Sequence, residues 1–482
     1  MAGTVVPVAS SGPYPARDGN LVIPWIDGLP FYTRLAAAFR GARRQIWAIV
    51  SFIEPGFRFP DGTAWWDLLG ECTARGVDVR VLFWRNPGFR TDHVFRGGPE
   101  DRAFLRRRGA AFAARWDSSG DDPNHCHHQK GYVIDAGEVD TTAFIGGMVL
   151  SHATLATPGH HHGREKHDAF LELRGPAVVD AEHNFVQRWN LARRDDAAPP
   201  WPDATRASAL AWPTRAPPAC GDVRVQLART IRAGAYPGPT PVVDAPSFDS
   251  AAGEATIREH YLGAFAAARR TIYLENQHPG ELGLLTALAA ALRRGVQVVM
   301  VVPGEPMPAI VAASRECAAL ARAGRGHEHR YGSTFAGLAA LATMPGFTLV
   351  ALARSDPGGS PGAWSHREIY THAKLCIVDG AWATLGSANL VDLSLLPDHT
   401  ELNAACWGAA LCLPLLCGLV EEHCGARESD DLAALVRIAL LARVSRASVI
   451  AGGPVLAGCY ALDASCYAQA PALTRGGPAA AP

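Results

Sequence analysis

Apolar residues along the chain alternate between two patterns. Short runs rich in β-branched and aromatic residues, such as QIWAIVSF from Gln45 and VDVRVLFW from Val77, have the length of buried strands. Between them, stretches such as WWDLLGECTARG and LGLLTALAAALRRG carry apolar positions at helical spacing. Strands alternating with helices in this way predict α/β layered domains.

The pattern also repeats. ARRQIWAIVSF from Ala42 has a counterpart in ARRTIYLENQH from Ala268, each a helix end running into a strand. ARGVDVRVLFW from Ala74 is matched by RRGVQVVMVVP from Arg293, where Gly76 and Gly295 read as helix C-caps before buried strands. The two series keep their order and are separated by a proline-rich stretch, residues 195–220, too broken for regular structure. The expected organisation is an N-terminal extension (1–19), a first α/β domain (20–195), a linker (196–220), a second α/β domain (221–426) and a C-terminal extension (427–482).

One apolar stretch, residues 404–420, is short for a bilayer span, contains Pro414 and runs into Glu421 and Glu422 without a basic flank, so it reads as a buried core helix. The aromatics Trp364 and Phe57 are candidates for membrane insertion, with partial burial as the competing role.

Candidate chemistry sits inside the repeat. HHQKGYVID, residues 127–135, read as a strand, sends His128 and Lys130 to one face and Asp135 to the other. Alone, such a histidine is commonly structural. A second copy, HAKLCIVDG, sets His372, Lys374 and Asp379 at the same spacing. Lysine occurs only at Lys130, Lys166 and Lys374, so 42 of the 45 basic residues are arginine. Two of three lysines thus fall in the motifs, where a compact ammonium differs from a planar guanidinium.

Composition narrows the partners. At 482 residues the chain can bury two cores of ordinary size. A net charge of -1 gives no electrostatic footprint for nucleic acid or an anionic membrane. Eleven cysteines without C-x-x-C spacing, and no apolar secretory segment near the first residues, lead to an expectation of reduced thiols and a cytoplasmic protein, peripheral at a membrane if it meets one. No cofactor is expected. His160, His161 and His162 form a run of three histidines, which reads as a solvated loop, with metal binding as the alternative.

Two histidines and two lysines on one cleft suit phosphodiester chemistry. Lysines neutralise phosphoryl oxygens, one neutral imidazole attacks phosphorus, and the other trades protons with the leaving and entering oxygens. Asp135 and Asp379, on the opposite strand face, read as structural.

These two motifs, with FIGGMVLS and the GSAN of LGSANL after them, resemble the paired H-x-K-x-x-x-x-D motifs of the phospholipase D superfamily. WIDGLPFY, GVDVRVLFWR, KHDAFLELRGPAVVDAEHNFVQRW, TIYLENQHPG and ELNAACW…EEHCG extend the resemblance, in order, over about residues 20 to 426, closest to true phospholipases D. The resemblance implies an α/β fold of two similar α/β/α layered domains, each with a mixed sheet, related by a pseudo-twofold with the site between them. It implies a phospholipid substrate at a membrane surface, water or alcohol as acceptor, and no metal. By the same resemblance His128 is the nucleophile and His372 the general acid/base. Lys130, Lys374, Asn389 and Ser387 hold the phosphate, and Asp168 and Glu401 each orient the histidine of the opposite motif.

Three positions depart from the family pattern or stand outside it. Val149 stands where an Asn or Asp is usual, His278 stands where an aromatic is common, and Lys166 is a candidate for positive charge at the pocket rim or a solvated loop lysine. A cardiolipin-synthase-like transferase is the runner-up, disfavoured by the missing N-terminal membrane helices. A nuclease is disfavoured by the near-zero charge, and a non-catalytic binding module by two intact motifs. With both motifs in one chain, a monomer is expected.

Overall fold

The computed structural model describes residues 4–85, 95, 99–108, 112–117, 125–160, 165–191, 208–470 and 473. In the first half the strands are β1 (Arg17–Ile26), β2 (Gln45–Val50), β3 (Asp78–Trp84), β4 (Ala113–Asp117), β5 (Gly131–Ile134), β6 (Thr142–Gly146), the short β7 (Lys166–His167) and β8 (Ala169–Arg174). They pair in the order β4-β3-β2-β5-β6-β8-β1, parallel across β4, β3 and β2 and antiparallel beyond. The second half contributes β9 (Val223–Ile231), a hairpin of β10 (Thr240–Val242) and β11 (Ala245–Phe248), β12 (Glu254–Ala255), β13 (Thr271–Asn276), β14 (Gln297–Val301), β15 (Phe347–Pro357), β16 (Trp364–Thr371), β17 (Lys374–Val378), β18 (Trp382–Gly386), β19 (Glu401–Trp407) and β20 (Cys459–Ala461). Its sheet runs β15-β14-β13-β17-β18-β19-β9 with the same parallel and antiparallel senses. Each half is therefore an α/β unit built on a mixed sheet, and the strand order of one repeats in the other.

Alternation along the strands explains how the halves share a core. Trp47 and Ile49 of β2 point into a cluster that also holds Phe185, Leu375, Ile377, Leu402 and Leu419, and so joins both sheets. Ile46, Ala48 and Val50 point the other way, onto Phe31, Trp65 and Phe83. The second sheet has a matching outer layer with Phe265, Leu288 and Leu338. Helices Val178–Leu191, Ala409–Cys424 and Asp431–Ile450 fill the space between the sheets. Gly76 and Gly295, at φ of 90° and 88°, end their helices in the left-handed region that the repeat predicts.

The ends are not free appendages. In the N-terminal segment, Ala9 donates its N–H to Gln226 of the second half at 2.9 Å, and Trp407 donates its indole N–H to the Val6 carbonyl at 2.8 Å. Near the other end, β20 pairs with β15.

Several expectations need correction. The strand expected over 127–135 is only Gly131–Ile134, because His127, His128 and Gln129 pair with Thr400 of the other half instead. The core helix expected over 404–420 is divided. Residues through Trp407 complete β19, and the helix begins at Ala409 after Gly408, whose φ of 142° turns the chain. Phe57 is fully buried against Tyr32 and Phe59, leaving it nothing to insert into a bilayer. Among the described residues no helix is long and apolar enough to cross a membrane. Residues 195–207 of the proline-rich stretch lie outside the described residues.

Candidate active site

Each motif histidine sits just before the central strand of its own sheet and is held there by the opposite half. The His128 and Gln129 N–H groups both donate to the Thr400 carbonyl, at 2.9 and 3.0 Å. The His372 and Ala373 N–H groups both donate to the His167 carbonyl, at 2.7 and 3.1 Å. The residue after each of those carbonyls is a carboxylate that reaches the histidine ring. His128 Nδ1 lies 3.0 Å from Glu401 Oε1, and His372 Nδ1 lies 2.5 Å from Asp168 Oδ2. The parallel pairing of β7 with β16 extends this contact between halves.

Both lysines stand one step before or at the start of their strands. Lys130 Nζ donates to the His128 carbonyl at 2.6 Å, and Lys374 Nζ donates to the His372 carbonyl. Both are buried. The Phe52 ring lies 5.6 Å from Lys130 Nζ and packs edge-on to His128.

Burial and neighbouring charge set the protonation states. Burial lowers the His128 pKa to about 4, against the pull of Glu401, so the ring is neutral at pH 7. Its proton then lies on Nδ1 towards Glu401, and the Nε2 lone pair is free. His372 is held well below its ordinary value by burial, then by the charges of Lys374, Lys166 and Lys130. Burial also lowers Lys130 to about 8, against Glu401, and Lys374 to about 7, against Asp168. Glu401 is held below its ordinary value, since His128 and Lys130 outweigh the effect of burial. Asp168 is raised, chiefly by burial.

The remaining motif positions divide. Ser387, expected among the phosphate ligands, is fully buried and commits its hydroxyl to Glu401 Oε2 at 2.5 Å, so it positions that carboxylate instead. Asn389 keeps a buried Oδ1 that accepts no hydrogen bond from the described residues; a phosphate oxygen would be met by its Nδ2 donors. Asp135 and Asp379 occupy left-handed backbone at φ of 53° and 52°. The Asp135 carboxylate accepts the N–H groups of Arg43, Arg44 and Gln45, and the Asp379 carboxylate those of Arg269, Arg270 and Thr271.

Sequence reasoning left out some neighbours. Ser394 donates to Glu401 at 2.6 Å, and the Phe52 and His399 rings border His128. Nothing in the sequence around Ser394, Phe52 or His399 marks them. His278 is buried with its pKa pushed down to about 3 by burial, Lys374 and His128, which places it at the site. Lys166 lies on strand β7 rather than in a loop, 6.0 Å from the Tyr370 ring, and its charge reaches His372. His160 is not solvated. It is buried and ion-paired with Asp27 and Glu422, while His161 and His162 lie outside the described residues.

No family model matches the chain. Among curated proteins it is similar to cardiolipin synthase A of Pseudomonas putida, 24% identical over 389 residues, covering 79% of this chain and 63% of that protein. Cardiolipin synthase B of Escherichia coli K12 is 28% identical over 270 residues, covering 56% and 49%. Phospholipase D gamma 1 of Arabidopsis thaliana is 27% identical over 235 residues, covering 37% and 27%. The chain thus spans less than two thirds of the length of these relatives. Among solved structures, phosphatidylserine synthase of Haemophilus influenzae Rd KW20 superposes with a TM-score of 0.50 at 12% identity, over 84% of this chain and 85% of that one, a likeness of fold. The chain is thus similar to cardiolipin synthases and to a plant phospholipase D, in line with the resemblance that its two motifs carry.

Proposed function

We propose that the chain is a phospholipase D-type phosphodiesterase that cleaves glycerophospholipids on the head-group side of phosphorus, releasing the head-group alcohol. The observation that carries this reading is the crossed bracing of the two histidines, each tied through Nδ1 to a carboxylate of the opposite half. That arrangement leaves two Nε2 atoms for chemistry and fixes both tautomers.

In the proposed reaction the phosphoryl group lies between the histidines, its non-bridging oxygens beside Lys130, Lys374 and Asn389. The His128 Nε2 lone pair forms a bond to phosphorus as the bond to the head-group oxygen breaks. His372, protonated on Nε2, gives that proton to the departing oxygen. Burial first, and then Lys374, Lys166 and Lys130, hold the His372 pKa down; a phosphate that neutralises Lys374 and Lys130 relieves that second part and so raises its affinity for the proton it must donate. Neutral His372 next takes a proton from water or an alcohol, the entering oxygen bonds to phosphorus, and the bond to His128 breaks. Water gives phosphatidic acid, and an alcohol gives a new phosphatidyl ester.

A second reading, transfer to the hydroxyl of another phospholipid as in a cardiolipin synthase, is favoured by the cardiolipin synthases among the relatives. Both readings need a phosphatidyl-enzyme and differ in the acceptor. Purified protein incubated with mixed phospholipid vesicles and a primary alcohol, followed by mass spectrometry of the lipids, distinguishes them. Phosphatidyl-alcohol and phosphatidic acid made by the wild type and absent with His128→Ala support the first reading. Cardiolipin from phosphatidylglycerol vesicles supports the second. No new lipid from any head group overturns both.

A further inference from the structure

Behind Asp168, away from the two lysines, four side chains converge. Asp27 ends the loop after β1, His160 lies in the loop before β7, His167 lies on β7, and Glu422 lies on helix Ala409–Cys424. His160 Nε2 is 3.1 Å from Asp27 Oδ2, 3.2 Å from Glu422 Oε1 and 3.3 Å from His167 Nδ1. His167 Nδ1 is 3.1 Å from Asp27 Oδ1 and 3.6 Å from Glu422 Oε1.

Protons alone satisfy this geometry poorly. Each facing imidazole nitrogen can carry one proton aimed along one line, yet His160 Nε2 faces three acceptors and His167 Nδ1 faces another set of three. Among the described residues, Asp27 Oδ2 and Glu422 Oε1 are buried and face only these imidazole nitrogens, and the single proton that His160 Nε2 can carry serves one of the two carboxylates at a time. No arginine or lysine of the described residues forms an ion pair with either carboxylate.

Two further observations are independent of the contacts. Asp27 and His160 are both non-glycine residues at positive φ, 63° and 51°, a cost that persists where the side chain has a task. Asp27 also stands at the N-cap of helix Gly28–Gly41 without capping it, its carboxylate turned to the histidines instead. In addition, His167 Nε2 lies 2.9 Å from Glu275 Oε2, and Glu275 Oε1 lies 2.9 Å from His423 Nε2. A carboxylate on the far nitrogen of a histidine is the usual support behind a metal ligand.

We propose that Asp27, His160, His167 and Glu422 bind one zinc ion. A tetrahedron with bonds of about 2.0–2.1 Å has ligand-to-ligand edges of roughly 3.3–3.4 Å; His160 Nε2, His167 Nδ1 and Glu422 Oε1 lie 3.2, 3.3 and 3.6 Å from one another, and a different Asp27 oxygen lies 3.1 Å from each imidazole nitrogen. Two imidazoles and two carboxylates suit zinc, and four protein ligands with little access to solvent make a structural site. The ion ties three ligands of the first half to Glu422 of the second. It also fixes the chain at His167, whose carbonyl holds the His372 N–H and whose next residue, Asp168, braces the His372 ring.

The test is elemental analysis of tag-free protein grown with zinc, manganese and iron all supplied. About one zinc per chain, removed by dipicolinate with a fall in Tm and restored by zinc alone, is the expected result. X-ray absorption should show four nitrogen or oxygen neighbours at about 2.0 Å and no sulfur. His160→Gln and Glu422→Gln should each lose the metal. Folded wild-type protein that holds no zinc and takes up none on titration overturns the proposal, as does protein that selects manganese or iron. Since the readout is metal content, it stands or falls separately from the lipid assay.

Discussion

Glu401 and Asp168 do the same work in the two half-sites and are held differently. Glu401 accepts from His128 and from the hydroxyls of Ser387 and Ser394. Asp168 accepts from His372 and from the backbone N–H of Ala169. The shorter carboxylate reaches its place because the counterpart of Ser387 is Gly147, where a Cβ would lie 2.5 Å from Asp168 Oδ1. The polar arm two residues on also differs, with Asn389 in one half and Val149 in the other. Behind the first motif, Arg188 pairs with the buried Asp117 at 2.9 Å, and behind the second stand the ligands of the proposed zinc. The two halves share the placement of histidine, lysine and carboxylate and differ in the groups that hold those carboxylates. In the proposed reaction this difference accompanies a division of labour in which His128 attacks and His372 carries protons.

The sharpest way to break the comparison is to remove each ring. His128→Ala and His372→Ala should both lower kcat with natural lipids by about 10⁴-fold or more. A substrate with a nitrophenol leaving group, which needs no protonation, separates them. His372→Ala should then accumulate a phosphoryl adduct on the His128 peptide, detected by mass spectrometry, and His128→Ala should form none. An adduct on His372 would reverse the assignment.

Next come the lysines. Lys130→Met and Lys374→Met should each lower kcat by about 10²–10³-fold. In the wild type, kcat/KM should fall as pH rises through about 7 to 8, where Lys374 and Lys130 lose the charge that meets phosphate. It should fall again as pH drops through about 4, where His128 gains a proton and loses its lone pair. A pH profile flat between 6 and 9 would contradict the assignment of the lysines.

The carboxylates should respond unequally. Asp168→Asn should cost about 10³-fold in kcat and Glu401→Gln about 10²-fold, because rotating serine hydroxyls can donate to or accept from the new amide of the second, whereas among the described residues no hydroxyl is hydrogen-bonded to the first. Equal losses would remove the asymmetry. The smallest effect is expected for Ser394→Ala, about threefold to tenfold in kcat, since Glu401 keeps its hydrogen bonds from His128 and Ser387 and loses one worth roughly 0.7–1.4 kcal/mol.

The repeat made much of this legible. Strands β2 and β13, strands β3 and β14, the caps Gly76 and Gly295 and both motifs occupy corresponding places in the two sheets, since each depends on a short stretch of sequence. Ser394, Phe52 and His399 were not legible, because their contacts arise from how the halves meet. Reading 127–135 as one strand failed for the same reason: pairing across to Thr400 removes His128 and Gln129 from their own sheet. The burial of His160 is not legible in the sequence, because a run of histidines beside Gly159 and Gly163 has the composition of a solvated loop and its partners Asp27 and Glu422 are remote along the chain.

Asp135 and Asp379 have a consequence for assembly. Each ties the end of a motif strand to the first N–H groups of the neighbouring strand, so it sets the register between them. A slip by one residue would shift the motif by about 3.3 Å and turn every side chain to the other face. The two histidines would then miss carboxylates that belong to a separately repeated half, and no local adjustment could recover them. The last residue of each motif therefore acts as an alignment mark, laid down within one half, that allows the other half to find its partner.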